Sequence, residues 1–98
     1  MITDKFRLDG KAAIVTGSGR GIGRSIGLTF AEAGARVAFA ARTEADLEAN
    51  MEKARAMGTQ ALAVKCDVMD DAQLEALAAR AMEAFGRIDI IVNNAGGT

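Results

Sequence analysis

Short apolar runs alternate along this chain with longer segments whose apolar residues recur at helical spacing. Ala12 to Thr16 is the first run. It is continuous rather than alternating, as a parallel strand covered on both faces requires. A glycine cluster follows. Beyond it Ile22, Ile26 and Phe30 fall at four-residue steps, with Ala33 three further on. That spacing predicts a helix from about Ile22 to Ala33 with one apolar face, and Gly34 stands where a C-terminal cap belongs. Arg36 to Ala41 reads as the second strand. Thr43 opens Thr-Glu-Ala-Asp, an N-cap threonine with an acidic first turn, and the second helix runs to about Met57 before Gly58. Gln60 to Lys65 is the third strand. Asp70-Asp71-Ala72-Gln73 resembles a capping box and predicts a third helix to Phe85, ended by Gly86. Ile88 to Asn93 is the fourth strand. Strand–helix–strand, repeated with short connections, is the signature of a single α/β domain over residues 1–98, with a parallel sheet and right-handed crossovers.

Composition narrows the chemistry. Twelve Lys and Arg against thirteen Asp and Glu leave a net charge of −1, without the basic excess of a nucleic-acid or anionic-membrane partner. There is no histidine, so no Ser-His-Asp triad, imidazole base or histidine-held metal. The one cysteine, Cys66, excludes a disulfide framework and reads as an inert small residue in or near the sheet. Met51, Met57 and Met82 read as helix packing. The apolar runs are too short to span a bilayer, and the first residues lack the apolar core of a secretory signal. A soluble, cytoplasmic protein is expected.

The sharpest signal lies between the first strand and the first helix, in Thr16-Gly17-Ser18-Gly19-Arg20-Gly21-Ile22-Gly23. A glycine-rich turn here brings backbone N–H groups and the positive end of a helix toward one point, which suits a phosphate. Gly17 would allow the tight turn, Gly21 the close approach of a pyrophosphate, and Gly23 close packing of helix on strand. Neither G-x-G-x-x-G nor the P-loop G-x-x-x-x-G-K-[ST] fits, since Arg24 replaces the lysine and Ser18 the leading glycine. T-G-x-x-x-G-x-G does fit. Four glycines in seven residues cost up to about 1 kcal/mol each against alanine on folding, an expense a ligand-free turn has little reason to carry.

In a dinucleotide fold, an acid at the end of the second strand binds the adenosine ribose and repels a 2′-phosphate. Here Ala41 takes that place and Arg42 follows, with Arg20 as a second cation in the glycine loop. Guanidinium groups without a carboxylate suit a phosphate monoester. This favours NADP(H) over NAD(H), although Glu44 or Asp46 could also reach the ribose from the helix start, and both arginines could be solvated surface charges.

Asn93-Asn94-Ala95-Gly96, closing the fourth strand, resembles the N-N-A-G motif of the short-chain dehydrogenase/reductase superfamily. Asp67-Val68 is similar to that family's adenine-binding pair. The resemblance covers the chain from Leu8-Asp9-Gly10-Lys11 to the final Gly-Gly-Thr. It implies a Rossmann-like sheet of order 3-2-1-4 with flanking helices, truncated after the fourth strand. Gly17, Ser18, Gly19, Arg20, Gly21, Ile22 and Gly23 would hold the pyrophosphate, with Ile22 contributing backbone. Arg42 with Arg20 would meet the 2′-phosphate, Asp67 the adenine amino group, and the Val68 N–H the ring. Asn94, Ala95 and Gly96 would lie beside the ribose and nicotinamide, while Asn93 holds its strand next to Thr16. Each has a plainer reading: Asp67 could simply satisfy backbone N–H groups at a strand end, and paired asparagines often just make a turn. Asp89 reads as a strand-end charge.

The family's serine, tyrosine and lysine, the last two in Y-x-x-x-K, have no counterpart here, and the chain has no tyrosine. The resemblance therefore implies the cofactor-binding front half of an enzyme interconverting an alcohol and a carbonyl, with a leaning toward 3-oxoacyl or hydroxysteroid substrates. The catalytic region would lie beyond residue 98, the segment alone would be inactive, and the complete enzyme would be a homo-oligomer, dimer or tetramer. The fourth strand would be left as an apolar edge prone to association. The other reading is a non-catalytic nucleotide-binding or interaction module.

Overall fold

The computed structural model describes residues 7–94. In chain order it holds β1 (Ala12–Thr16), α1 (Gly21–Glu32), β2 (Arg36–Ala41), α2 (Glu44–Ala56), β3 (Ala61–Lys65), α3 (Asp71–Phe85) and β4 (Ile90–Asn93). The four strands form one parallel sheet in the order β3-β2-β1-β4, with Thr16 paired to Ala40 on one side and to Asn93 on the other. This is the Rossmann-like arrangement the resemblance implies. Consecutive helices can cross to a parallel neighbour in only one hand, so the order fixes which helices share a face.

Alternation along the buried strands divides the core in two. Ile14, Ala38, Ala40 and Val64 point to one face, where α3 covers them with Leu77, Ala81 and Phe85. Val15, Val37 and Phe39 point to the other, under α1 and α2, and meet Ala31, Leu47 and Ala54. Every residue of β1 is buried, which accounts for its unbroken apolar run. Met51 packs against the α1–α2 core, whereas Met57 and Met82 are exposed, against the expectation that all three pack. Each stands where its helix turns toward water.

The ends of the elements show which local signals operate. Asp70 caps α3, accepting from the N–H groups of Ala72 (2.9 Å) and Gln73 (3.3 Å). Gln73 reaches back as in a capping box, but its carbonyl takes the N–H of Asp67 at 2.8 Å rather than that of Asp70. Gly86 ends the helix in the left-handed conformation, at φ 78°. Thr43 sits at the N-cap of α2 without a side-chain capping bond, so the acids Glu44 and Asp46 are what favour that terminus. β4 starts at Ile90, two residues later than its apolar run predicts. Asp89 N–H bonds the Ala12 carbonyl (2.8 Å), but the Ala12 N–H is taken by the Asp89 carboxylate (2.9 Å), so a side chain replaces the first rung of the ladder.

Candidate functional site

The sheet order reverses between β1 and β4, and the crevice at the carboxyl ends of such strands is where open α/β sheets take ligands. The glycine loop leaves β1 at that point. Gly17 and Gly21 lie at φ 63° and 67°, a region that side-chain-bearing residues rarely adopt. Gly23 is needed for a different reason. A Cβ there would run into the Gly17 carbonyl and stand 2.7 Å from Asn94 Nδ2, so α1 can approach the loop this closely only without a side chain. Gly19 faces a looser neighbourhood, with Ala41 and Asp46 Cβ atoms 3.7 Å from where its own Cβ would be. α1 has no acid in its first turn and no side-chain cap. Its N-terminal N–H groups therefore remain for an anion.

The loop is held from beneath by polar side chains. Ser18 is fully buried; its hydroxyl donates to the Val15 carbonyl (2.7 Å) and accepts from Ala40 N–H (2.8 Å), and its own N–H bonds the Ala40 carbonyl. Its side chain thus ties the loop to β1 and β2 rather than facing a ligand. Thr16, also buried, accepts from Asn94 N–H at 3.1 Å and points its hydroxyl at Asn93 Oδ1, 3.2 Å away. Asn93 accordingly holds β4 beside Thr16. Asn94 donates through Nδ2 to the Gly17 carbonyl at 3.3 Å. Two residues that sequence reasoning missed complete the support. Asn50 of α2 donates to the carbonyls of Ser18 and Gly19, and Arg24 of α1 donates to Asn50 Oδ1. The signal was present: Asn50 falls with Leu47 and Ala54 on the buried face of α2, a polar residue at an apolar position.

Beside the loop opens a cleft of about 340 Å³. Gly17, Gly19 and Arg20 form one wall, Ala41, Arg42 and Thr43 at the end of β2 a second, and the segment after β3 a third. The sequence-predicted Asp67 and Val68 stand on that third wall. Asp67 Oδ1 already accepts from Met69 N–H at 3.0 Å, so part of its capacity shapes its own turn. Among the described residues the side chains of Arg20 and Arg42 make no ion pair or hydrogen bond. Asp46 also lines this cleft, whereas Glu44 does not. Ile22 is 72% exposed at the mouth of α1. Cys66 touches the cleft but is buried; desolvation first, then the charges of Asp67 and Asp70, push its thiol up and keep it protonated. Ala95 and Gly96 lie outside the described residues.

The donor set fits a dinucleotide: glycines that let backbone approach, an open helix N-terminus, and cations at the far end of the cleft. Among the described residues no cluster of His, Cys, Asp or Glu could hold a metal ion, and no helix is long and apolar enough to cross a membrane. Asp89 stands at the amino end of β4, across the sheet from this crevice, locked to Arg87 and the Ala12 N–H.

Fold and loop together define a Rossmann-like α/β sheet with a glycine-rich turn at its switch point. The short chain dehydrogenase family model matches residues 11–98, and the chain belongs to that family. An uncharacterized oxidoreductase of Mycobacterium tuberculosis (strain CDC 1551 / Oshkosh) is 50% identical over 98 residues, covering all of this chain and 37% of that protein. The 7α-hydroxysteroid dehydrogenase of Escherichia coli K12 is 44% identical over 95 residues, covering 97% of this chain and 37% of its own. A solved 7α-hydroxysteroid dehydrogenase in complex with NADH and 7-oxo glycochenodeoxycholic acid superposes with a TM-score of 0.91 at 44% identity, covering 99% of this chain and 38% of that one. The chain thus spans under two-fifths of the length of these relatives.

Proposed function

We propose that this chain is the cofactor-binding portion of an NADP(H)-dependent short-chain oxidoreductase interconverting an alcohol and a carbonyl. The observation that carries the reading is the second wall of the cleft. Ala41 stands at the end of β2 where an acid would select against a 2′-phosphate, and Arg42 and Arg20 face the same space unpaired among the described residues. The loop from Gly17 to Gly23 holds the pyrophosphate, Asp67 and Val68 receive the adenine, and Asn94 with Ala95 and Gly96 borders the nicotinamide ribose. When bound, the nicotinamide supplies or accepts the hydride. The proton chemistry belongs to a serine, a tyrosine and a lysine outside these 98 residues, so the segment alone turns over no substrate. A hydroxysteroid or 3-oxoacyl substrate is the class we favour, supported by the 44% identity to a 7α-hydroxysteroid dehydrogenase.

A second reading, NAD(H), draws on Asp46, whose carboxylate lines the same cleft and could accept from a ribose hydroxyl. Titration followed by nicotinamide fluorescence separates the two. NADPH should bind tighter than NADH, and Ala41→Asp should weaken NADPH by about tenfold or more, the scale of a charged hydrogen bond replaced by repulsion. Asp46→Asn should then leave NADPH binding intact. Equal or tighter NADH binding, weakened by Asp46→Asn, would establish the second reading instead.

A further inference from the structure

Asn50 is 2% exposed in the middle of α2, and all of its polar atoms are used across element boundaries. Its Nδ2 donates to the Ser18 carbonyl and to the Gly19 carbonyl, each at 2.9 Å. Its Oδ1 accepts from Arg24 Nε at 3.0 Å. An amide nitrogen carries two hydrogens, so both donors and the acceptor are satisfied at once. We propose that Asn50 is a positioning residue, held in register by Arg24, that aims the glycine loop at the cofactor's pyrophosphate. The proposal rests on the nucleotide-binding reading above.

Peptide geometry gives this clamp its direction. A trans peptide is planar, with its C=O and N–H on opposite sides, and no cis peptide occurs among the described residues. Drawing the Ser18 and Gly19 carbonyls onto Asn50 therefore turns the N–H groups of Gly19 and Arg20 away from α2. Gly19 and Arg20 both border the cleft. Two successive N–H groups aimed outward make the concave donor set that takes an anion. Without the clamp each peptide can rotate, and a carbonyl facing a phosphate repels it. Arg24 matters because an asparagine amide can turn over; a guanidinium accepts no hydrogen bond, so it fixes Oδ1 toward α1 and Nδ2 toward the loop. The same α2 begins three residues after Ala41, the position facing the 2′-phosphate in the proposed mode. One helix thus connects the two phosphate-bearing ends of the ligand.

The experiment compares NADPH, which carries the pyrophosphate, with adenosine 2′-monophosphate, which lacks it and in the proposed mode meets the loop only through the Arg20 side chain. Asn50→Asp keeps size and the Arg24 contact but removes both donors. Arg24→Met keeps the donors but releases the amide. Asn50→Asp should weaken NADPH by about tenfold, from two lost hydrogen bonds, and change the monophosphate by less than about twofold. Arg24→Met should give a smaller loss with the same selectivity. If Asn50→Asp fails to fold by circular dichroism, Arg24→Met decides. Equal weakening of both ligands, or no change in NADPH, would overturn the proposal and leave the nucleotide reading standing. Failure of the unmutated chain to bind either ligand would instead overturn that reading, and the positioning role with it.

Discussion

Gly23 and Gly27 lie one turn apart on α1, and a methyl group added at each would meet a different neighbour. At Gly27 it would press on the ring of Phe39, 3.0 Å from Cδ2 and 3.2 Å from Cζ, and that ring is fully buried on β2. At Gly23 it would strike the main chain of the glycine loop itself. Overpacking of this kind typically costs about 1–3 kcal/mol, while alanine's better helix propensity returns at most about 1 kcal/mol. Both Gly→Ala variants should therefore lower the midpoint of urea unfolding. Their ligand binding should differ: Gly27→Ala should keep NADPH affinity, whereas Gly23→Ala should lose it, because the Gly17 carbonyl can give way only by moving the loop. Fluorescence titration beside the unfolding curves checks this. Loss of affinity in both variants would mean that α1 moves as a rigid unit. The roles of Gly17 and Gly23 were legible in the sequence, since the spacing of glycines follows from backbone requirements. Ser18 was harder to read. A small hydroxyl inside a ligand-binding motif suggests a contact with ligand, and only the packing of β1 and β2 shows it buried between them.

The start of β4 carries a pH dependence. Two hydrogen bonds from Arg87, and then one from the Ala12 N–H, hold the Asp89 carboxyl below its ordinary value of 3.8. A carboxyl whose folded pKa is depressed adds stability above its unfolded pKa, and that stability is lost as pH falls through the folded value. Asp89→Asn should thus be less stable than the parent chain at pH 7. The gap should narrow below about pH 4 and close in stronger acid, as read from urea midpoints against pH. A gap independent of pH would show that shape, not charge, matters at this corner. Asp89 also explains why the apolar run mislocated the strand: periodicity counts Ile88 and Asp89 as strand, but a side chain has taken the place of a main-chain partner. Elsewhere the elements were legible because each has its own local cause. β1 and β2 begin and end where the sequence places them, and Asp70 and Gly86 bound α3 as read. Asn50 is the counterexample at this scale, a polar residue whose purpose appears only when α2 is laid against the loop.

At the scale of the molecule, helices cover the sheet unevenly. α1 and α2 pack against β1, β2 and β3 on one face, while α3 lies over β1 and β2 on the other. Register puts Ile91 opposite Ile14, hence on the α3 face. Ile14 is buried, but Ile91 is 66% exposed. Among the described residues β4 pairs only with β1, so its other side presents unpaired backbone groups next to that isoleucine. An open edge with an apolar neighbour is a template for another chain. The 98-residue chain should accordingly self-associate with rising concentration in sedimentation velocity. Ile91→Lys should suppress this and change the unfolding free energy by less than about 0.5 kcal/mol, as for an exposed site. Ile22→Lys makes the control, since Ile22 is equally exposed but lies on α1, away from the edge. Association that survives Ile91→Lys and disappears with Ile22→Lys would place the contact at the N-terminus of α1, beside the glycine loop, instead. In that case association and NADPH binding would compete, and adding NADPH would dissolve the assemblies; an edge contact at β4 would leave them unchanged.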